Sequence, residues 1–149
     1  MKGTNLLVIL CVLASGAAAA AAWQTRRGTD APVFVMVTCD PRQDAQSVDM
    51  ALKFALFALD EGRAVTIFFT VKGVYLPSRR VAADFVYKDK PLQEQLRDLI
   101  ARGADVHVCP VCMKALDVTE ADIVVVNAKV TTRERLFARI GPSTAVFSF

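Results

Sequence analysis

Two cysteines spaced three positions apart are the most informative feature of the sequence. They are Cys109 and Cys112, in the segment Cys-Pro-Val-Cys, which lies between a predicted strand over 105–108 and a predicted short helix over 111–116. A thiol at such a junction faces free backbone N–H groups and the positive end of a helix dipole, and both favour the thiolate. Because the thiolate is the nucleophilic form of cysteine, this position predicts sulfur chemistry at Cys109.

The pair has several interpretations that the sequence leaves open. Cys112 is a resolving thiol that condenses with an oxidised Cys109, a permanent disulfide partner, or part of ordinary core packing. Cys109 itself is either a nucleophile or a small buried hydrophobe. A C-x-x-C pair at a helix start is also typical of redox dithiols, although this pair follows a late strand, unlike the early pair of thioredoxin-like domains.

Two further residues are candidates because of their positions. Cys39 follows the first predicted strand, and ligand sites in open α/β sheets gather beyond the carboxyl ends of strands, where Cys39 and Cys109 approach each other. His107, the only histidine, alternates with Cys109 and either stabilises a thiolate there or simply fills space against a helix. With Cys112 these residues make a chemically acceptable zinc set. A second closely spaced ligand pair is missing, however, and we expect no resident metal or cofactor.

Other catalytic and binding patterns are absent from the sequence. It contains no glycine-rich phosphate loop, no paired-carboxylate motif and no supported Ser/His/Asp set. Basic and acidic residues alternate without a basic stripe interleaved with aromatics, so nucleic acid is not expected as a partner. Arg79 and Arg80 lie on a predicted long loop over 70–87, where they either attract an anionic sulfur species or are simply solvated.

The N-terminus has the three parts of a secretory signal peptide. Lys2 supplies a basic start, residues 6–14 form an uninterrupted apolar run, and small residues continue to Ala22. We therefore expect residues 1–22 to be cleaved and the rest of the chain to be periplasmic or secreted, without stable membrane insertion. The alternative is an uncleaved anchor over 6–23 that faces the periplasm, since this segment is nearly long enough to span a bilayer.

The remaining chain is long enough for one domain with its own core. Residues 23–30 are predicted to be a linker and residues 31–149 the domain. Loss of the signal peptide removes one charged residue, Lys2, and lowers the formal charge from +3 to +2. Three cysteines remain, an odd number that leaves at least one thiol without an intramolecular partner and is too small for a disulfide scaffold.

Strand and helix patterns alternate along the predicted domain. Strands are predicted over 33–38, 64–69, 105–108, 123–126 and 144–149, and helices over 44–62, 91–102, 111–116 and 131–140. Thr131 and Glu134 form a capping box at the start of the last helix. This order predicts a single three-layer α/β domain with a mostly parallel sheet of about five strands flanked by helices.

The first predicted helix, over 44–62, is apolar around most of its circumference. Its polar side chains occupy one narrow stripe, and the remaining surface is larger than one sheet face can cover. Either a second helix packs alongside this helix, or its surplus apolar surface forms a subunit interface. The two explanations are compatible with each other.

Three segments of the chain together resemble one known family. The first is the opening strand with its apolar helix (33–38 and 50–55), the second is the helix over 92–103 that leads into a strand, and the third is the cysteine segment over 108–116. In these features the chain resembles the DsrE/DsrF-like sulfur-relay family. It departs from the family pattern at Asp117, where members often have Gly, and in its predicted export, since the best understood members are cytoplasmic.

The resemblance implies both an assembly and an activity. Members form homotrimers or hexamers of a small α/β fold, and in several a cysteine directly after the strand carries sulfane sulfur as a persulfide. Cys109 matches that cysteine, with Cys112 beside it, and the expected partner is a sulfur donor or acceptor protein. A non-catalytic oligomeric binding module and a Cys109/Cys112 dithiol oxidoreductase are the alternatives.

Overall fold

The computed structural model describes residues 31–88 and 90–149, which form an α/β fold. The strands are β1 (Val33–Val37), β2 (Val65–Phe69), β3 (Val86–Tyr87), β4 (Lys90–Pro91), β5 (Asp105–Val108), β6 (Lys129–Val130) and β7 (Ala145–Ser148). The helices are α1 (Ala45–Asp60), α2 (Leu92–Ala101), α3 (Pro110–Ala115) and α4 (Arg133–Phe137), with short 3-10 helices at Val71–Tyr75 and Glu120–Asp122.

Five of the strands form one parallel sheet in the order β6-β5-β2-β1-β7. The central strands β1 and β2 are continuous runs of Val, Ile, Phe, Met and Thr, the composition expected of strands that are covered on both faces. The other two strands, β3 and β4, form a separate antiparallel hairpin. The predicted α/β domain with a parallel five-stranded sheet flanked by helices is therefore confirmed.

Helix α1 covers one face of the sheet and packs beside α2. Asp44 caps its N-terminus by accepting hydrogen bonds from the Ser47 amide at 3.0 Å and the Ser47 hydroxyl at 2.7 Å. Its buried side, which includes Val48 and Leu52, joins the core built from β1, β2 and β5. The second helix that the apolar surplus of α1 predicts is thus present as α2, while the subunit interface stays a prediction.

The strand predicted over 123–126 does not form. Ile123 makes one antiparallel bridge with Ser78, and the amides of Val124 and Val125 both donate to the Pro77 carbonyl instead of to a sheet strand. Val125 alone is buried, so the apolar run anchors a loop by one side chain. The strand that pairs with β5 is β6, which lies further along the chain.

The last helix is shorter than predicted, and its cap is shifted by one residue. Thr132, rather than Thr131, precedes α4, and its hydroxyl accepts a hydrogen bond from the Arg135 amide at 3.4 Å. Thr131 is buried next to β6. The helix ends at Phe137 and not at Ile140, because turns between residues 137 and 144 lead the chain back into β7.

The signal peptide and linker predicted over 1–30 lie outside the described residues, so the predicted cleavage and export stay predictions. Within residues 31–88 and 90–149, no helix has the length and apolar composition needed to cross a membrane.

Candidate functional site

The cysteine pair lies at the carboxyl edge of the parallel sheet, where β5 passes into α3. Cys109 is the N-cap residue of α3 and has an extended backbone, and its amide continues the sheet by donating to the Phe69 carbonyl at 2.9 Å. Pro110 occupies the first helical turn, a position that needs no backbone donor. The predicted strand-to-helix position of both thiols is therefore observed. Both are free and partly exposed.

The hydrogen-bond donors at this site converge on Cys112 and come from a different part of the chain. The amide of Val71 donates to the Cys112 sulfur at 3.1 Å, and the Thr70 hydroxyl lies 3.3 Å from the same atom. The thiol of Cys109 is a further hydrogen-bond partner. No side-chain capping bond forms at Cys109 itself. The segment after β2 thus forms a thiolate cradle, by which we mean Thr70 and Val71 around Cys112.

This cradle changes the acidity of Cys112. Burial of the thiol raises its pKa, but hydrogen bonds from the Thr70 hydroxyl, the Cys109 thiol and the Val71 amide outweigh that effect. The pKa of Cys112 therefore lies below the ordinary value for a thiol. A larger fraction of Cys112 is thiolate at neutral pH, and this is the form that attacks sulfur electrophiles.

The cradle is held in an unusual backbone conformation. Val71 has a φ of 50°, a left-handed value that a β-branched residue rarely adopts, and its side chain is exposed, so burial of the side chain does not explain the strain. Strained backbone of this kind clusters at functional sites, where neighbouring structure maintains it. Gly73 supplies that support, since a Cβ atom there would lie 2.1 Å from the Val37 carbonyl oxygen. Only glycine lets the turn approach β1 so closely.

Cys39 lies at the same edge of the sheet but at the end of a different strand. It follows β1, and its thiol is hydrogen-bonded to the Asp44 carboxylate at the start of α1. Strand β2 separates β1 from β5, so the strands that carry Cys39 and Cys109 are two strand spacings apart, about 10 Å. The predicted approach of Cys39 to Cys109 stays a prediction.

His107 is buried and belongs to another cluster. Its side chain is 3% exposed, and Nε2 lies 2.9 Å from an Asp105 carboxylate oxygen. Within residues 31–88 and 90–149, no group of three or more His, Cys, Asp or Glu side chains is arranged to hold a metal ion. The structure therefore does not assemble His107 and the cysteines into the zinc set considered from the sequence.

Arg79 and Arg80 connect the loop after β2 to the segment after α3. Arg79 pairs with the Asp122 carboxylate at 3.1 Å, and the Arg80 guanidinium donates to the Asp117 carbonyl. Asp117 has a φ of 52°, which explains why a glycine suits this position and why an aspartate is tolerated there. These contacts give the arginine pair a structural role, which differs from both interpretations considered from the sequence.

Thr70 and Val71 are the site residues that the sequence analysis missed. They precede Cys112 by 42 and 41 positions, and neither residue type indicates chemistry by itself. The available signal was positional: a polar residue directly after a buried strand lies at the carboxyl edge where ligands gather. The prediction used that rule for Cys39 and did not apply it to Thr70.

Comparisons with known sequences give a matching family and relatives of similar extent. A sequence model of the DsrE/DsrF-like family matches residues 32–149. The uncharacterized protein MJ0989 of Methanocaldococcus jannaschii is 33% identical over 116 residues, which cover 78% of this chain and 98% of the relative. The uncharacterized protein MK0008 of Methanopyrus kandleri is 35% identical over 100 residues, or 67% of this chain and 78% of the relative.

Solved structures show the same fold at low sequence identity. The crystal structure of the ychN protein from E. coli superposes with a TM-score of 0.67 at 14% identity and covers 80% of this chain and 99% of that one. MTH1491 from Methanobacterium thermoautotrophicum gives a TM-score of 0.62 at 14% identity, with 79% and 98% covered. Since the family model matches residues 32–149, which is most of the chain, this chain belongs to the DsrE/DsrF-like family.

Proposed function

We propose that this protein is a sulfur-relay protein in which the Cys109–Cys112 pair carries sulfane sulfur as a persulfide and passes it to a partner protein. The DsrE/DsrF-like family is associated with sulfur relay. One observation carries the assignment to this site: two donors from the segment after β2 point at the Cys112 sulfur and lower its pKa. A carrier thiol needs such stabilisation, both to attack and to leave as a thiolate.

These contacts also support a different role for each of the two thiols, one as the carrier and the other as the resolving thiol. The sequence predicts Cys109 as the carrier, whereas the cradle surrounds Cys112. In our proposal Cys112 accepts the sulfur, and Cys109, which is its hydrogen-bonding neighbour, resolves the product. The carrier role of Cys109 is the alternative that the experiment below separates from this one.

Each step balances without a metal or cofactor. The Cys112 thiolate attacks the outer sulfur of a donor persulfide, so that a new S–S bond forms, the donor S–S bond breaks and the donor leaves as a thiolate. A partner thiolate then attacks the outer sulfur of the Cys112 persulfide and regenerates the Cys112 thiolate. Attack by the Cys109 thiolate on the inner sulfur instead releases hydrosulfide and leaves a disulfide, which an external thiol must reduce.

The test is the intact mass of the full chain before and after treatment with inorganic polysulfide, with and without reductant, followed by peptide mapping. We expect a reductant-labile gain of whole sulfur atoms on Cys112. Cys112→Ser is expected to abolish the gain, while Cys109→Ser keeps it and lengthens its lifetime. Cys39→Ser is the matched control and should behave as the unmodified protein.

Three results decide between the alternatives. Sulfur uptake that survives in Cys112→Ser and disappears in Cys109→Ser returns the carrier role to Cys109. No uptake by the reduced protein contradicts sulfur relay and favours the non-catalytic oligomeric binding module. A reversible Cys109–Cys112 couple that reduces a test disulfide, again without sulfur uptake, favours the dithiol oxidoreductase, which the hydrogen bond between the two thiols makes the second candidate.

A further inference from the structure

A cleft lies on the face of β5 that points away from the core, and most of the side chains that line it are basic. It has a volume of about 520 Å³ and is lined by His107, Lys129, Arg135, Ala138 and Arg139. We call it the basic cleft. These residues come from the paired strands β5 and β6 and from the segment that contains α4. None of the described cysteines lines it, so its role is separable from the sulfur chemistry.

The charges of the basic cleft do not balance. Asp105, beneath it, is the carboxylate shared by Lys129 at 2.8 Å and Arg139 at 2.7 Å. Arg135 has no carboxylate within salt-bridge distance in the described part of the chain. Three permanent cations therefore face one carboxylate, and the cleft carries a net positive charge before the imidazole of His107 is counted.

The imidazole of His107 forms part of the wall of the basic cleft. It is 3% exposed, and Nε2 uses its hydrogen-bonding capacity on Asp105 at 2.9 Å. The other ring nitrogen, Nδ1, is buried and has no hydrogen-bond partner among the described residues. Because that nitrogen is closed off from the cleft, it does not contact a ligand there, and His107 contributes to the site as part of its wall and through its bond to Asp105.

From the unbalanced charge and the guanidinium of Arg135, which no described carboxylate neutralises, we propose that the basic cleft is a binding site for a small oxyanion of the sulfate, thiosulfate or phosphate type. Arg135 supplies the free guanidinium, whose fork of N–H donors matches such anions. Lys129 and Arg139 each use only some of their N–H donors to bind Asp105, so further N–H groups remain for the ligand. The volume of the cleft admits an ion of this size together with water.

Two kinds of ligand have this oxyanion chemistry, namely a free sulfur oxyanion and a phosphate. Titrations with thiosulfate, inorganic phosphate and sulfate as separate probes tell them apart, with sodium chloride at matched ionic strength as the control. A preference for thiosulfate identifies a sulfur compound as the ligand, and a preference for phosphate identifies a phosphate-bearing one. Binding of any of these anions supports the site itself.

The chain offers a specific spectroscopic reporter for this test. Because His107 is the only histidine, its imidazole nitrogen and proton signals in NMR spectra of the full chain have one possible origin. We expect a saturable shift of the His107 signals with the oxyanion probes, and only a weak, unsaturable drift with chloride. Absence of a saturable shift with all three oxyanions overturns the proposal.

Two substitutions on α4 provide a matched pair. Arg135→Gln removes the free guanidinium from the cleft and should weaken oxyanion binding by about tenfold, the usual effect of losing one charge-assisted contact. Arg133→Gln removes the same charge from the same helix, but Arg133 points to solvent beside Glu134 and does not line the cleft. It should leave the affinity unchanged. Equal weakening of binding by both variants shows that the anions respond only to the overall positive charge of the surface, and it overturns the site.

Discussion

At the scale of single residues, the reactivity of Cys112 depends on two atoms that the chain supplies from elsewhere. The Thr70 hydroxyl and the Val71 amide both reach its sulfur, and both stabilise the thiolate more than the thiol. Neighbouring Cys109 lacks a capping bond from its own helix although it precedes the helix directly. The acidity of Cys112 therefore follows from the donors that are aimed at its sulfur.

We predict that Thr70→Val slows alkylation of Cys112 at pH 7. The variant keeps the shape of the side chain but removes the hydroxyl, so the pKa of Cys112 rises and the thiolate fraction falls. A higher pKa also makes the remaining thiolate a better nucleophile, so the expected loss is about three- to tenfold rather than the full change in thiolate fraction. Peptide-resolved iodoacetamide rates measure it.

Cys39 serves as the internal control for that experiment. It lies near Asp44 and has no described contact with Thr70, so its alkylation rate should be the same in both proteins. The full pH profile of Cys112 should move to higher pH in the variant. A profile that stays in place would show that the hydroxyl does not set the pKa.

The sequence could predict the cysteine pair and its place at the start of α3, but not the cradle. Cys-Pro-Val-Cys is a local pattern, and local patterns report strand ends and helix starts reliably when the residues lie next to each other. The contact of Thr70 and Val71 with Cys112 joins segments about 40 residues apart. It also requires a valine with positive φ, which no residue preference indicates.

At the scale of elements, the site depends on how closely the 3-10 helix at Val71–Tyr75 packs against β1. Gly73 is the contact point, and its backbone lies directly on the Val37 carbonyl. The Thr70 amide donates to that same carbonyl at 3.0 Å, so one peptide group of β1 positions the whole cradle. A substitution that moves this turn must also move the donors that reach Cys112.

We predict that Gly73→Ala destabilises the protein by about 2–4 kcal/mol. The same substitution should lower the reactivity of the Cys112 thiol. The new Cβ atom would lie 2.1 Å from the Val37 carbonyl oxygen, and only a backbone shift relieves that clash. Gly141→Ala is the control, because its Cβ atom would have 3.8 Å to its nearest neighbour. Urea unfolding measures the stability of both variants. A Gly73→Ala variant as stable as Gly141→Ala would contradict the packing described here.

The strand predicted over 123–126 and the unpredicted strand β6 share one physical reason. Residues 123–126 are apolar enough for a buried strand, but only Val125 enters the core, and the backbone bonds to Pro77 instead of joining the sheet. Conversely, β6 contains Lys129 and shows no strand pattern, yet it pairs with β5. Short apolar runs report that a side chain is buried, and the partner of their backbone is decided by tertiary contacts.

At the scale of the whole molecule, Asp105 connects distant parts of the chain at one carboxylate. It binds the side chains of His107 on its own strand, Lys129 on β6 and Arg139 after α4. Burial of the carboxyl raises its pKa, but the hydrogen bonds from Lys129 and His107 and the charge of Arg139 outweigh burial and bring the pKa below its ordinary value. The ionised form therefore stabilises the fold.

We predict that Asp105→Asn lowers the free energy of unfolding by about 1–2 kcal/mol at pH 7. Because the folded-state pKa of Asp105 lies below the unfolded value, its contribution is present above the unfolded pKa and is lost as the pH falls through the folded one. The difference between the two proteins should therefore shrink below about pH 4. Asp84→Asn, on an exposed turn, is the control. A difference independent of pH would show that the charge of Asp105 is not the cause.

The exposed surface of α1 is the feature that relates the fold to the assembly state of the protein. Phe57 is 55% exposed and belongs to an aromatic cluster in which Phe54 packs against Phe57, Phe147 and Phe149 with ring centroids 5.3 to 6.5 Å apart. This cluster lies beside β7, an edge strand of the sheet. An apolar patch next to an edge strand favours self-association.

We predict that the protein forms the trimer or hexamer implied by its family resemblance and that Phe57→Glu lowers its mass in light scattering coupled to size exclusion. The added charge would have to be buried against the partner, which disfavours association. Phe137→Glu is the matched control. Phe137 is 63% exposed but stands on α4 among Arg133 and Arg135, a surface that a like copy would repel. A monomeric unmodified protein contradicts the assembly, and dissociation by Phe137→Glu alone assigns the interface to the opposite surface.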